Sequence, residues 1–426
     1  MSKIRIGIFG VGFRGKTVGR GGSLIASVEA SGAEVVAICD SNPAHLQFCK
    51  EDKFPDREVG LYTSFDQFIT HDMDAVMLCN YFHQHADYAI CALRAGKHVL
   101  CETTSNITMA EGVRLVRACE ESGCTFALLE NYPYFKSNQE MARLAKGGTL
   151  GPIIYAEGEY VHPGTVQSGN NLAPGIYHWR NWLPRTYYLT HSLAPLLYMT
   201  DAMPTRVTAM ASFQGDYIRG KGSASHAADN TAVLMIQTDQ NSILRVTGCA
   251  GWGYHNNYYR LCGINGAVDT DRRTGEIQLH YNAWSTPEGA ECDAKYEPGY
   301  ESPELGELAK THGHGGGDFF AIYNFVKALE NGTEPYWNVY RATAMASCAI
   351  LGWRSILNGS MGFEVPDFRR EEDKCQYEYD DATPFPDENG HVNIPCSSQP
   401  YEPSAEDIAA AMKDWEETGV AVSVKK

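Results

Sequence analysis

The side chains of this 426-residue chain best equipped for chemistry are tyrosines and histidines gathered in three places. One is Tyr160-Val161-His162. A second runs from Tyr177-His178-Trp179-Arg180-Asn181 to Tyr187-Tyr188-Leu189-Thr190-His191-Ser192-Leu193-Ala194-Pro195, and a third is Asn257-Tyr258-Tyr259-Arg260. Tyrosine and histidine move protons and hydrogen-bond sugar hydroxyls, and a tyrosine ring offers an apolar face to a sugar. Most of the 24 tyrosines suit ordinary packing between strands. Tyr188 stands apart, with His191 three residues later and an apolar, helix-like run beyond. His162, His178 and His191 are also possible metal ligands. They lack a tight i, i+4 pair and an obvious carboxylate partner, so no metal site is read from them. His312-Gly313-His314 reads as loop structure near a helix start. His83 and His85 follow a strand, where ligand contact and a structural role are both open.

A second chemistry is written in Gly10-Val11-Gly12-Phe13-Arg14-Gly15, which follows the apolar run Ile4 to Phe9. Gly10 permits a tight turn, Gly12 lets backbone approach a pyrophosphate, and Gly15 allows close strand–helix packing. Lys16 to Val18 then begin a helix, whose unpaired N–H groups and dipole favour phosphate. A second apolar run, Ala33 to Cys39, ends in Asp40. An acid there hydrogen-bonds a ribose hydroxyl and repels a 2′-phosphate. The pattern reads as a dinucleotide site for NAD in preference to NADP.

The elements that must position these groups follow from periodicity. After Asp40 come a polar helix (42–50), a short segment 66–70, the buried-strand run Ala75 to Cys79 and a helical run Ala86 to Ala95. Lys97 to Cys101 and Thr125 to Leu129 are further strands, with a helix Met109 to Ser122 between them. Alternating β and α with apolar strands predicts an α/β fold, a Rossmann-type doubly wound parallel sheet over 1–128. Ligands bind beyond the strand C-termini of such sheets, which marks 80–85, 102–106 and 130–131. Residues 129–426 predict an α+β domain. Strand-like runs at 152–161, 206–213, 232–237 and 243–249 indicate a large open-faced, mostly antiparallel sheet. Helices follow Gly316-Gly317-Asp318-Phe319 and span Val339 to Leu357. A wrapping tail from about residue 365 ends in a helix capped by Ser404.

The net charge of −17 excludes nucleic acid and anionic membrane surfaces as partners. No apolar run approaches the roughly 18 residues of a membrane span. The 13 cysteines are scattered and never spaced C-x-x-C. With no signal-peptide pattern after Met1-Ser-Lys, they point to a reducing, cytoplasmic setting. An open-faced sheet of this kind often pairs with a copy of itself, so a homo-oligomer through that sheet is expected.

Taken together, the fingerprint, the acid after the second strand, a glutamate after Leu100-Cys101 and the open-faced sheet resemble the Gfo/Idh/MocA superfamily of oxidoreductases. Ordinary dehydrogenases there carry Glu-Lys-Pro, with a catalytic lysine, where this chain has Glu102-Thr103-Thr104. Glu130-Asn131, Tyr160-Val161-His162, Tyr188-x-Thr190-His191-x-Leu193-x-Pro195 and His314-Gly315-Gly316-x-Asp318 resemble one branch, glycoside hydrolase family 109, NAD-dependent α-N-acetylgalactosaminidases. That resemblance implies that Phe13, Arg14, Asp40, Phe82, His85, Glu102, Thr103, Asn131, Trp179 and Arg180 meet NAD. It implies that Tyr160, Tyr188, His191 and Tyr258 meet a small-molecule glycoside, with His162 beside them. His191 and Tyr160 are expected to transfer protons. The implied mechanism oxidises C3, eliminates across C1–C2, adds water and restores the hydride. A sugar or polyol dehydrogenase on the same scaffold is the alternative enzyme, and a non-catalytic NAD-binding protein the third reading.

Overall fold

The computed structural model describes residues 3–14, 17–215, 222–387 and 389–418. The chain forms two compact units. The first is Met1–Asn131 with Glu304–Ala346 and Asp367–Asp381, and the second is Tyr132–Pro303 with Ser347–Pro366 and Ala382–Lys426.

Among the described residues, the first unit holds a six-stranded parallel sheet. Its strands are β1 (Arg5–Phe9), β2 (Glu34–Cys39), β3 (Gly60–Tyr62), β4 (Ala75–Leu78), β5 (His98–Glu102) and β6 (Phe126–Leu129), in the order β3-β2-β1-β4-β5-β6. Ile6, Ile8, Ile38, Val76, Leu100 and Leu128 are buried, as expected where helices cover both faces. Those helices include α1 (Arg20–Ala30), α2 (Pro43–Lys53), α3 (His85–Arg94) and α4 (Met109–Ser122). Thr108 and Glu111 cap α4 reciprocally, and Gly123 ends it with a left-handed φ of 66°, so its bounds were fully legible. The helix expected from Lys16 is displaced. Phe13–Arg14 pairs with Thr17–Val18 as a short hairpin, and α1 starts only at Arg20.

Two late segments complete this unit, although the sequence reading assigned all of 129–426 to a second domain. The Leu128 N–H donates to the Trp337 carbonyl at 2.9 Å. Lys374 pairs with Glu120 and Arg117 with Glu371. The expected tail is therefore divided, its first stretch lying on the first unit and the rest on the second.

The second unit contains a nine-stranded sheet. Its strands are β7 (Ile153–Val161), β8 (Pro204–Phe213), β9 (Asp229–Thr238), β10 (Ile243–Thr247), β11 (Asn256–Gly263), β12 (Gly266–Thr270), β13 (Ile277–Tyr281), β14 (Asp293–Tyr296) and β15 (Phe363–Glu364). They run in the order β14-β13-β12-β11-β7-β10-β9-β8-β15. Every pairing is antiparallel except β7 with β10. The strands from β11 to β14 carry too few regularly alternating apolar residues to announce themselves. The inner face buries Ala232, Leu234, Ile236, Leu244 and Val246, and helices α5 (Lys136–Lys146) and α6 (Thr190–Thr200) belong to the same unit. The chain's last helix, Ala405–Thr418, buries Trp415, whose indole N–H donates to the Asn170 carbonyl at 2.9 Å. Among the described residues no helix is long and apolar enough to cross a membrane.

Candidate active site

In the first unit the turn after β1 is built from Gly10 and Gly12, with φ of 91° and 65°, values that favour glycine. A Cβ on Gly10 would lie 2.6 Å from the Asn80 nitrogen. A close strand–helix contact is made by Gly21. A Cβ there would meet the Gly10 carbonyl oxygen at 2.5 Å and Ile8 Cγ2 at 3.0 Å. The hairpin before α1 places the helix start at Arg20, and the run Gly19-Arg20-Gly21-Gly22 is its signal in the sequence. Gly15 itself, with the side chains of Phe13 and Arg14, lies outside the described residues.

Asp40 stands at the end of β2. Its Oδ2 accepts from the Gly12 N–H at 2.9 Å, and its Oδ1 from the Asn42 N–H at 2.9 Å, with His45 Nδ1 at 3.2 Å. Phe82 and His85 are buried. The His85 ring nitrogens lie 2.7 and 3.2 Å from the Thr104 and Asn80 carbonyl oxygens, bracing the loops after β4 and β5. Burial lowers its pKa, with the two carbonyls and the Glu102 charge opposing that shift. Glu102 is turned to Arg20, which the sequence reading did not single out, and Thr103 is buried beside it.

A dinucleotide fits these residues. The side-chain nitrogen and oxygen of Asn80 and the Oδ1 of Asn131 are buried with no hydrogen-bond partner among the described residues. Both asparagines follow strand C-termini, where a doubly wound sheet takes its ligand, so polar ligand groups would satisfy them.

In the second unit His191 occupies the first turn of α6. Pro195, four residues on, has no N–H to give the His191 carbonyl. The Tyr259 hydroxyl donates to that carbonyl instead, at 2.6 Å. Gly158 lets α6 approach β7, since a Cβ there would lie 2.0 Å from the Ser192 carbonyl oxygen. The His191 ring is stacked on Tyr132 at 4.0 Å and meets Tyr160 and Tyr188 edge-on at 5.0 and 5.3 Å. His162 and His255 extend the group, 4.7 Å apart. The Arg180 guanidinium lies over Trp179 at 4.3 Å and Tyr188 at 5.8 Å. Burial, reinforced by Tyr132 and Tyr188, pushes the Tyr160 phenol far above the usual tyrosine range. It is therefore a hydrogen-bond donor rather than a phenolate at neutral pH. Burial also lowers His162.

Tyr160, His162, Tyr188 and His191 are thus brought together, but Tyr258 is not. It pairs with Glu159 on β7, one residue out of step with Tyr160, so its side chain points to the opposite sheet face. There the Arg272 guanidinium covers it at 3.9 Å. Its neighbour Tyr259 and the distant Tyr132 take the places that sequence proximity could not indicate. His178 caps the turn before Arg180, accepting from its N–H at 3.3 Å. His312 and His314 contact Ser27 and Asp318.

Residues 4–129 match the oxidoreductase family with an NAD-binding Rossmann fold, Gfo/Idh/MocA, and residues 177–374 match the glycosyl hydrolase 109 C-terminal domain. The first of these stretches therefore carries the NAD-binding Rossmann fold of the Gfo/Idh/MocA type. The second stretch, which runs through parts of both units, is similar to the C-terminal domain of glycosyl hydrolase family 109. Glycosyl hydrolase family 109 protein 4 of Phocaeicola vulgatus is 27% identical, with 91% of this chain and 82% of that protein aligned. Protein 2 of that family from Akkermansia muciniphila is 28% identical, over 87% and 84%. Among solved structures, levoglucosan dehydrogenase with NADH and levoglucosan superposes with a TM-score of 0.69 at 16% identity, covering 86% of this chain and 100% of that one. An Agrobacterium radiobacter oxidoreductase with NAD+, L-tartaric acid and magnesium gives 0.67 at 14%, over 85% and 99%. At such identities the structures speak for the fold.

Proposed function

We propose that this protein is an NAD-dependent glycoside hydrolase that cleaves its substrate by transient oxidation, with no net redox change. The observation that carries the reading is His191 held among Tyr132, Tyr160 and Tyr188 in a chain whose first domain binds NAD. The absence of a lysine after Glu102 weighs against an ordinary sugar dehydrogenase.

Bound NAD supplies a hydride acceptor that is regenerated within each turnover. Asp40, Asn80, His85 and Asn131 are the residues of this chain that would hold it or brace its loops. With C3 of the sugar at the ketone level, the C2 proton is acidic. His191 is suited to take that proton, because its ring is fixed by three aromatic neighbours and its carbonyl by Tyr259. Tyr160, kept protonated, donates a hydrogen bond to the sugar oxygen that gains negative charge as the C2–H bond breaks. Elimination then breaks the C1–O bond, and the aglycone leaves with a proton. Water adds at C1 and a proton returns to C2. Tyr188 offers its ring and hydroxyl to the sugar. No carboxylate pair spaced for displacement at C1 is required.

Aryl α- and β-glycosides incubated with protein and NAD in D2O test this. The expected result is catalytic aglycone release, one deuterium at C2 and no accumulating NADH. Steady NADH formation without bond cleavage would make the protein a dehydrogenase. Tyr160→Phe should lower kcat by about 10²–10⁴-fold while NAD affinity, measured by calorimetry, stays within twofold. A loss of NAD binding instead would remove Tyr160 from the proton-transfer role.

A further inference from the structure

Asp318 lies in the first turn of the helix Gly317–Asn331, where the backbone dipole favours an anion. The two terminal nitrogens of Arg20 donate to it in parallel, each at 2.8 Å, Asn131 Nδ2 donates at 2.7 Å, and His314 Nδ1 lies at 3.0 Å. Burial opposes ionisation of Asp318. The hydrogen bonds from Arg20 and His314 and the Arg20 charge outweigh it and hold the carboxyl well below its usual range. Arg20 Nε reaches on to Glu102 at the end of β5. One half-buried guanidinium thus links the end of β5 to the helix Gly317–Asn331.

The consequence falls on Asn131. An ionised carboxylate only accepts, so the amide must turn its Nδ2 to Asp318 and its Oδ1 the other way. That Oδ1 is buried without a partner among the described residues, beyond the end of β6. Helix and loop meet closely here, since a Cβ on Gly317 would lie 2.4 Å from the Asn131 carbonyl oxygen. A buried acceptor without a donor is costly, and a ligand donor removes that cost.

We propose that Asp318, clamped by Arg20, is a positioning residue for the cofactor. It fixes the Asn131 amide so that Oδ1 accepts a hydrogen bond from the nicotinamide riboside half of NAD. The donor is the carboxamide N–H or a ribose hydroxyl, chemically alike from the side of the acceptor. This inference rests on NAD binding and is independent of glycoside cleavage.

The test is calorimetric titration of NAD into the full-length protein, without sugar, for wild type, Asn131→Ala, Asp318→Asn and the double variant. Asn131→Ala leaves the Arg20–Asp318 pair intact and should fold normally. Each single variant should weaken NAD about tenfold. The double variant should weaken it no further than the weaker single, because both changes remove one bond. ADP-ribose and the acetylpyridine analogue of NAD separate the donors. A loss confined to NAD assigns the carboxamide, and an equal loss for ADP-ribose assigns the ribose. Unchanged NAD affinity in folded Asp318→Asn, or losses that add in the double variant, would overturn the proposal. A merely structural Asp318 would lower the melting temperature and give additive losses. Should Asp318→Asn fail to fold, Arg20→Lys, which keeps the charge but not the fork, takes its place in the cycle with the same expected non-additivity.

Discussion

His191 owes its fixed position to a proline and a tyrosine far apart in sequence. Pro195 withholds the helical hydrogen bond from the His191 carbonyl, and Tyr259 replaces it. Tyr259→Phe would leave a buried carbonyl unsatisfied, costing about 1–3 kcal/mol of stability. The proposed proton-transfer role of His191 predicts a concurrent drop in kcat, with KM and NAD affinity changed little. Thermal unfolding and steady-state kinetics on one preparation check both. A stable variant with wild-type kcat would show that the carbonyl needs no such partner. The reading of Tyr188 and His191 as a functional pair drew on local spacing, and the two rings do meet. Tyr258 and Tyr259 are adjacent in sequence, and only the strand register says which one faces His191.

At the scale of elements, α4 shows how much a cap encodes. Glu111 accepts from the Ile107 and Thr108 amides at 2.7 and 3.2 Å. Burial pushes its carboxyl up to about 7, with those two hydrogen bonds opposing the shift. A folded-state pKa raised above the unfolded value means stability that is complete below about pH 4.5 and is lost as pH rises through about 7. At full ionisation the loss is on the order of 3 kcal/mol. Glu111→Gln, which can still accept from both amides, should flatten this dependence. Melting temperatures at pH 5 and pH 8 should fall less in the variant than in wild type. An equal fall in both would assign the pH dependence elsewhere. The inserted hairpin before α1 marks the opposite case. Three glycines at the familiar spacing are visible, but the helix starts only at Arg20 and Gly21 packs on the strand, because spacing alone does not reveal an insertion.

At the scale of the whole molecule, the outer face of the nine-stranded sheet carries exposed apolar side chains on three adjacent strands. Met210 is 69% exposed, with Met235 and Ile243 exposed on neighbouring strands. Apolar patches of this kind mark association surfaces, and self-association through this face is the proposal. Met210→Glu with Met235→Lys should convert a wild-type oligomer to monomer in light scattering, with an unchanged melting profile at low concentration. A monomeric wild type, or an oligomer indifferent to both changes, would locate the contact elsewhere or remove it.

By itself the sequence determined five of the first unit's six strands, all but Gly60–Tyr62, together with its dinucleotide-binding turn, Asp40 and the capped helix 109–122. Each depends on neighbours within a few residues or on periodicity, both of which are local. It also announced the Tyr160, Tyr188 and His191 group by composition. Tertiary structure alone decided that segments 304–346 and 367–381 complete the first unit, that Arg20 and Asp318 meet across nearly three hundred residues, and that Tyr132 stacks on His191. Those contacts are made between residues whose separation along the chain carries no signal. They form because buried charges must be paired and ring faces covered wherever the fold brings them.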